Sequence, residues 1–494
     1  MKQRILFIVL ITCWFNSNAA VIYVKNGGSG NGTSWQQAYG TLNLALQNAI
    51  SGDEIWVAQG TYFPSSTLNS AESFIFKDGV KLYGGFLGNE TLLTSRADTS
   101  GTTTILSGIL SSSVQTATLI KVNNASNINN LIDGFTILGA KRIMVSGQPG
   151  GAGLQVLNST IKLKNCIIKD NRTELLNYNI NQGYNGGGSA IFSLLSNLIL
   201  ENVNIVDNSL DNKKTTNNTN NRVNGGALYI EGGNFGYNKG RIENNEYTYE
   251  GIKGYGGAGY FKNVTSLDLA NLFVYYNKIA MKNISTLSAS NPEGGGFYFD
   301  SCNNILMDTN IFHGNYASYL TLPQNSTIPI NQYGYGNAVY FKTSSGTFNN
   351  ITFGRNSLPE HIHNSGAAAN GIYTSGVGNL SYNNCVFLEG VTGASVGTSI
   401  YNYYRCVSKY GIGYANDPNV RIIEMEFVNA TEGNYTPLYC SEHLNFGDLT
   451  HVTSTTDING NPRVVGISSD PGAVEFQNLG TYNRVYVNYA NTML

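Results

Sequence analysis

Five tyrosines recur in the middle of the chain and could bind a ligand through their rings. Their successive spacings are 31, 38, 42 and 33 residues: Tyr229, Tyr260, Tyr298, Tyr340 and Tyr373. Their neighbours on either side are mostly Leu, Ile, Val and Phe, so alternation along a strand places the neighbours inward and the tyrosines outward. Exposed rings stacked ~5 Å apart would form a platform for sugar rings or a partner's side chains. The alternative is that the tyrosines cover the sheet or face inward.

The histidines offer one pair with the spacing of metal ligands. His361 and His363 are two residues apart, so on a strand they would share a face, whereas His313, His443 and His451 stand alone. A zinc site needs at least three protein ligands, and no third ligand is visible in the sequence. We therefore interpret the pair as part of a solvated loop and predict no metal site.

Charged residues could supply an acid and a base, but their positions favour a simpler role. Asp207, Asp308 and Lys169 fall at outward positions of the repeat described next. General acid–base catalysis needs such groups to converge on one bond. The sequence shows no such convergence, so we interpret these residues as surface solvation and leave the catalytic residues unknown.

An 11-residue pattern repeats through the chain. It has apolar residues at positions 1, 3, 6 and 8 and asparagine at positions 5 and 11, as in residues 161–171 and 198–208. The apolar residues alternate with period two and change phase at position 5, which indicates two strands joined by a corner. Asparagines stacked at this corner can bond to one another along the stack. The predicted ladder consists of Asn165, Asn202, Asn271, Asn350 and Asn384.

Each copy of the pattern follows a glycine-rich strand start, such as Gly150-Gly-Ala-Gly-Leu154, and successive starts are 31 to 42 residues apart. Short strands with tight corners at this period are typical of a solenoid of stacked coils. The fold class predicted is all-β, a single-stranded right-handed parallel β-helix of roughly 10 to 13 coils. Variable segments at 172–186, 209–224, 278–293 and 316–335 should leave from one edge, and residues 211–224 should be flexible.

The two ends of the chain have different compositions from the repeat. Residues 1–20 combine basic residues, an apolar run and small residues, as a secretory signal peptide does. Leu42, Ala45, Leu46, Ala49 and Ile50 follow helical spacing, which predicts an amphipathic helix that caps the solenoid. We therefore predict an N-terminal cap at 21–62 within a β-helix domain at 21–476, followed by a tail at 477–494.

Composition limits the partners. The net charge is -2 and charged residues make up 12% of the chain, which excludes nucleic acid as a partner because phosphate binding needs a basic stripe. After the signal peptide no segment is long and apolar enough to span a membrane. The remaining cysteines, at an odd count and without Cys-x-x-Cys spacing, are interpreted as small buried hydrophobes: Cys166, Cys302, Cys385, Cys406 and Cys440.

Several stretches resemble known bacterial proteins. Residues 21–62, 83–86, 104–108 and 133–137 resemble the opening of right-handed β-helix proteins of the pectate-lyase-like superfamily. The Gly-Gly-Ala strand starts, together with Phe312-His-Gly-Asn315 and Phe353-Gly-Arg-Asn356, are similar to repeats of chlamydial polymorphic outer membrane adhesins. Residues 457–463 and 470–475 look like the closing motif of choice-of-anchor surface proteins. The resemblance implies a protein exported to the surface or surroundings of a Gram-negative bacterium, with periplasmic residence left open.

Three functions remain open at this point. An adhesin-like or structural surface protein is favoured, because the polygalacturonase motif Gly-His-Gly and the Asn-Thr-Asp and Asp-Asp pairs do not occur. A polysaccharide lyase or glycosidase is the main alternative, and a lyase would imply bound calcium. A carbohydrate-binding module is the third. We expect an extracellular polysaccharide or a host or neighbouring cell surface as partner, no other cofactor, and a monomeric chain.

Overall fold

The chain winds into a parallel β-helix in which strands one coil apart pair side by side. The computed structural model describes residues 19–144, 149–176, 185–213, 222–250, 254–282, 292–319, 334–356, 370–393, 399–409, 417–439 and 441–477. Leu154 pairs with Ile191, and Ile191 pairs with Leu228, so residues about one repeat apart lie on top of each other. This register is the one that the sequence repeat predicts.

Three sheets run along the solenoid. The first contains Phe74–Ile75, Ile120–Asn123, Leu154–Leu157, the starts of Ile191–Val206 and Leu228–Glu243, Gly259–Lys262, Phe297–Asp300, Val339–Lys342, Asn370–Ser375 and Gly390–Gly393. The second contains Val21–Val24, Glu54–Ala58, Lys81–Phe86, Leu131–Asp133, the start of Thr160–Lys169, the middles of Ile191–Val206 and Leu228–Glu243, the start of Ser266–Tyr275, Ile305–Asp308, Gly346–Asn349, Gly378–Asn383 and Ser399–Tyr404. The third contains Gly60–Tyr62, Thr104–Ser107, Thr136–Leu138, the ends of the four long strands, Ile311–His313, Thr352–Phe353, Val386–Phe387, Cys406–Ser408 and Val420–Ile422.

A fourth sheet follows the third in the middle coils and was not expected from the sequence. Four of its six parallel strands occupy the beginnings of the segments predicted to be variable, so those segments do not leave the solenoid directly after the position-11 asparagine. The strands of the fourth sheet are Lys141–Met144, Arg172–Leu176, Ser209–Lys213, Glu246–Tyr249, Lys278–Met281 and Tyr316–Tyr319. A smaller parallel pair joins Asn185–Gly186 to Arg222–Val223. Asp211, predicted to lie in a flexible stretch, is buried in the fourth sheet, and residues 214–221 lie outside the described ranges.

The interior of the coils is one continuous apolar core. Inward residues from the three main sheets, such as Leu163, Ile168 and Leu228, stack directly on their equivalents in the next coil. The cysteines at 166, 302, 385 and 406 are buried in this core as free thiols, and Cys440 lies outside the described residues. Burial raises the pKa of Cys166 to about 12, so this thiol stays protonated.

The corner asparagines form a broken ladder rather than the continuous one predicted. All five have a left-handed backbone with φ between 50° and 55°: Asn165, Asn202, Asn271, Asn350 and Asn384. Only two amide pairs bond directly, Asn202 to Asn165 at 2.8 Å and Asn384 to Asn350 at 3.3 Å. The other three donate to Asp133, Asn238 and Asp308. The ladder breaks because Lys239 and Thr309 occupy the corner in the intervening coils.

The continuous ladder lies instead at position 11. Each side-chain amide donates to the amide oxygen of the next asparagine at 2.9 to 3.1 Å, and all six side chains are fully buried: Asn171, Asn208, Asn245, Asn277, Asn315 and Asn356. Each amide oxygen also accepts the backbone N–H of the preceding ladder residue. The backbone N–H groups at the turn between the third and fourth sheets therefore donate hydrogen bonds to side chains of adjacent coils.

Glycine-rich strand starts pass beside this ladder. A Cβ at Gly153 would lie 2.7 Å from the backbone oxygen of Ala190 and 3.0 Å from the amide nitrogen of Asn171. These contacts leave no room for a side chain, so glycine is required there for close approach.

An α-helix runs from Leu42 to Asn48 between the first two strands of the second sheet. Thr41 caps its N-terminus by accepting the backbone N–H of Leu44, and Leu42, Ala45 and Leu46 are buried in the main core. These are three of the residues that the helical spacing selected. A short 3-10 turn at Leu93–Ser95 follows in the loop after Lys81–Phe86.

Residues 423–477, here called the C-terminal segment, leave the stack and pack against its side. The paired strands end at Val420–Ile422, earlier than the boundary of 476 that the sequence suggested. The segment contains the antiparallel strands Phe427–Asn429 and Asn434–Pro437 and 3-10 turns at Ala430–Glu432 and Leu449–His451. Its Tyr435 and Phe446 pack against outward residues of the third sheet, including Ile311 and Val386.

Arg463 anchors the C-terminal segment to the corner asparagines. Its buried Nη2 donates to Asn350 Oδ1 at 3.1 Å and to the backbone oxygens of Asp470 and Gly472 at 2.7 Å. Asn384 exchanges two bonds with the backbone of Asp448, at 2.7 and 2.9 Å. The motif at 457–463 and 470–475 therefore attaches the segment to the coils.

We expect the buried ladder to dominate the stability of the stack. Replacing Asn245 by Ala removes the acceptor of the Asn208 backbone N–H, one acceptor of the Asn208 side-chain amide and a donor to the backbone oxygen of Ile205, which costs about 3 kcal/mol of unfolding free energy. The exposed amide of Asn234 also bonds one coil back, to Asn197, yet Asn234→Ala should cost less than about 1 kcal/mol because water replaces that bond. Urea denaturation measures both, and equal losses would contradict the distinction.

Candidate functional site

The tyrosine column exists as a stack of rings. Ring centroids of successive members lie 5.5, 5.5, 4.7 and 5.0 Å apart from Tyr229 to Tyr373, and Phe192 extends the stack at 5.1 Å. The residues on either side of each ring belong to the interior core, whereas the rings form a separate cluster. The predicted outward direction of the rings is therefore correct.

The prediction that this column is an exposed platform is wrong. Tyr229, Tyr260, Tyr298 and Tyr340 are between 1% and 5% exposed, and Tyr373 is half-buried. Segments that lead into the glycine-rich starts carry further rings onto the column: Tyr255 lies 4.5 Å from Tyr298, and Tyr335 lies 4.4 Å from Tyr373. The column is an outer core, and its faces are not available for stacking a sugar.

Two hydroxyl groups of the column donate hydrogen bonds to charged side chains. Tyr229 donates to Glu231 at 2.5 Å and Tyr260 donates to Asp300 at 3.1 Å. In register with these carboxylates, Lys262 pairs with Glu231 at 2.7 Å. Burial, and then the Asp300 charge, raise the pKa of Tyr260, so its phenol remains neutral. These groups satisfy one another and leave no reactive centre.

The outer side of the second sheet is different because polar side chains remain exposed there. We call this surface the open face and define it by outward residues of five neighbouring coils: Lys162, Lys164, Asn197, Glu201, Asn234, Asn238, Asp268 and Asp308. Asn197, Asn234, Asn238 and Asp268 are exposed, and the rest are partly exposed. Neighbouring strands stand ~4.8 Å apart, so the face is a regular grid of amides and charges on a rigid support.

Bonds across neighbouring coils hold the open face in place. Glu201 accepts Lys162 at 2.8 Å and Lys164 at 3.0 Å, and these two lysines lower its pKa. Asn234 donates to Asn197 at 2.8 Å. The side chains therefore have fixed directions before any ligand binds, which lowers the entropy cost of binding.

Two carboxylates on the open face differ in their partners. Asp308 accepts from Asn350 at 3.0 Å, from Thr309 at 2.9 Å and from Thr453 of the C-terminal segment. Asp268 lies on the adjacent strand, two residues before the partner of Asp308. Partial burial and the charge of Asp308 raise the pKa of Asp268. These two carboxylates are therefore the candidates on this face for an acid and a base.

The remaining residues singled out in the sequence do not join a site. His361 and His363 lie outside the described residues. Asp207 is exposed at a corner, and Lys169 pairs only with Asp170, at 3.7 Å. Within the described ranges, no three His, Cys, Asp or Glu side chains come together as possible metal ligands. Nor does any helix in those ranges have the length and apolar character needed to cross a bilayer.

His313 and His443 are buried where the C-terminal segment meets the third sheet. His313 Nδ1 lies 2.7 Å from the hydroxyl of Tyr435, and Nε2 lies 3.2 Å from that of Tyr276. Burial, with a smaller effect of Arg355, lowers the pKa of His313 to about 4, and burial alone lowers that of His443 to about 4. Both rings are therefore neutral near pH 7, and His313 joins the third sheet to the C-terminal segment through Tyr435.

The sequence prediction did not include the open face, because it placed ligand binding on the tyrosine column and assigned outward charged residues to surface solvation. The signal was present at positions 2 and 4 of the repeat, where polar residues such as Lys162, Asn238 and Asp268 alternate with the core.

Comparison with solved structures shows a likeness in fold. No protein family model matches the chain. No curated protein matches it in sequence. A crystal structure of pectate lyase Pel9A is similar at 13% sequence identity and a TM-score of 0.40, over 93% of this chain and 97% of that one. At this identity and score the likeness says nothing about activity.

The neutral histidines predict how the C-terminal segment responds to pH. A histidine whose folded pKa lies below 6.5 stabilises the fold above about pH 6.5, and this contribution is lost as pH falls toward 4. The raised pKa of Glu475, about 8, acts in the opposite direction, so His313→Gln must be compared with the parent at each pH. Hydrogen exchange measures the free energy of opening of residues 423–477. The difference between this energy in the parent and in His313→Gln should shrink by about 2 kcal/mol between about pH 7 and about pH 5. If the difference in opening free energy between the parent and His313→Gln does not change with pH, His313 is not held neutral.

Proposed function

We propose that this chain is an exported, adhesin-like β-helix protein that binds an extracellular polysaccharide along its open face. The observation that carries the proposal is the grid of exposed amide and carboxylate side chains, including Asn197, Asn234 and Glu201, held in fixed directions on neighbouring strands. Planar amides and carboxylates pair with adjacent sugar hydroxyls by donating and accepting hydrogen bonds. The strand spacing is close to the length of one sugar residue in an extended glycan, so successive coils can contact successive sugars.

Export and surface location support the same proposal. The signal-peptide pattern of residues 1–20 directs a protein out of the cytoplasm, where polysaccharides of the chain's own cell, a neighbouring cell or a host are available. The ligand is attached to a surface or free in the surroundings, and the open face would bind it in either case.

The binding proposal is tested with paired variants. Asn234→Ala combined with Asn238→Ala removes two exposed amides, so the fold should persist and the affinity for a glycan identified on an array should fall about tenfold or more. The control combines Asn89→Ala with Asn129→Ala, two exposed amides outside the open face, and should bind like the parent. Isothermal titration measures the affinities. Equal affinity of all three proteins would remove the open face as the binding surface.

A second function, glycoside hydrolysis, is favoured by one observation, the raised pKa of Asp268 beside Asp308. In this reading Asp268 donates a proton to the glycosidic oxygen while Asp308 acts as base or nucleophile. Asp268→Asn should then lower turnover by about a hundredfold or more while binding is kept. Reducing ends released from the bound glycan measure hydrolysis, and ultraviolet absorbance of an unsaturated product would identify a lyase instead. If the parent releases neither product, the protein binds without catalysis.

A further inference from the structure

Two cations near the N-terminal end of the solenoid, Lys121 and Arg142, are close enough to repel each other electrostatically, and neither has a carboxylate partner among the described residues. Lys121 is in the first-sheet strand Ile120–Asn123 and points outward, because Ile120 and Val122 on either side belong to the core. Arg142 is in the fourth-sheet strand Lys141–Met144. Its Nη1 donates to Thr118 Oγ1 at 2.7 Å, and Thr118 in turn donates to the backbone oxygen of Gly151 at 2.9 Å. The guanidinium is therefore held in one position.

Other cations of the fourth sheet are neutralised by its carboxylates. Lys141 pairs with Glu174 at 3.2 Å, Arg172 pairs with Glu174 at 2.7 Å, and Lys278 pairs with Glu246 at 3.0 Å. In the described part of the chain, by contrast, neither Lys121 nor Arg142 has an ion pair.

Polar atoms beside these cations are buried and unsatisfied. Arg142 Nε has no hydrogen-bond partner, and neither has the hydroxyl of Thr173. Thr173 is the cross-strand partner of Arg142, so both side chains lie on the same face of the sheet. Burial, and then the charge of Arg142, lower the pKa of Lys121, and burial lowers that of Arg142. Unsatisfied buried polar groups lower stability, and an anion would satisfy both atoms and offset the repulsion between the two like charges.

We propose that Lys121, Arg142 and Thr173 form a binding site for an oxyanion, either a carboxylate or a sulfate group. Because Thr118 occupies Nη1, the Nε edge of the guanidinium remains to donate to the ligand. The hydroxyl of Thr173 adds a neutral donor and Lys121 adds a second charge. The site lies on the first and fourth sheets, whereas the open face lies on the second, so this proposal does not depend on polysaccharide binding there.

Titration of the full mature chain with two probes tests the site. Inorganic sulfate and a uronate trisaccharide are each added at constant ionic strength set with sodium chloride, and binding is measured by calorimetry and by the thermal midpoint. The parent should bind at least one probe, and Arg142→Gln and Lys121→Gln should each weaken binding about tenfold or more. Tighter binding of the uronate identifies an acidic polysaccharide as the ligand, and binding of sulfate alone identifies a small inorganic anion.

The control removes an exposed charge elsewhere. Lys239 is exposed at a corner, so Lys239→Gln changes the net charge by the same amount and should bind like the parent. In anion-free buffer Arg142→Gln should keep or raise the thermal midpoint, since it removes a buried unpaired charge, whereas loss of a purely structural arginine would lower it. The proposal is overturned if neither probe binds the parent, or if Arg142→Gln binds as tightly as Lys239→Gln.

Discussion

The asparagine ladder from Asn171 to Asn356 is the interaction on which the middle of the solenoid depends. A parallel coil must turn at each corner, and a turn inside the protein leaves backbone groups without partners. Here buried amides donate to a backbone oxygen of the preceding coil and to the amide oxygen of the next coil, so every corner is completed by its neighbours. The coils consequently share one register. Every surface feature of the molecule, whether covered or open, repeats along the axis because of that register.

The repeat in the sequence predicts this register but not what lies outside it. Period-two alternation gave the inward residues and the direction of the tyrosines, because the strand pleat alone decides both. Whether an outward ring is exposed depends on segments that arrive from another part of the coil. Tyr255 and Tyr335 lie in such segments and follow no strand period, so nothing local to Tyr298 or Tyr373 marks them as covered. A column of neighbouring rings is itself a reason for covering, since large exposed aromatic surface is costly in water.

The C-terminal segment shows a signal that was present in the sequence. The outward position of the third sheet is polar at Asn204 and Arg241, and it is apolar in most of the later coils, at Phe273, Ile311 and Val386 but not at Thr352. A strand that is apolar on both faces is a buried strand. This change predicts that another part of the chain packs over the later coils, although it does not identify the C-terminal segment as that part. The corner asparagines could not be read in the same way, because Asn350 and Asn384 bond with residues about 60 to 110 positions further along the chain.

Polar groups distinguish the two surfaces proposed to bind ligands. On the open face the side chains are exposed, so water satisfies them when no ligand is present, and their fixed directions are what favours a glycan. At the second site Arg142 Nε and the Thr173 hydroxyl are buried, Lys121 is half-buried, and the chain supplies no ion-paired carboxylate to either cation in the described ranges. Folded proteins rarely keep buried donors unpaired, because each one lowers stability. The second arrangement therefore indicates a ligand more directly than the first. It also could not be predicted from sequence, since the lack of a partner emerges only when neighbouring coils are in place.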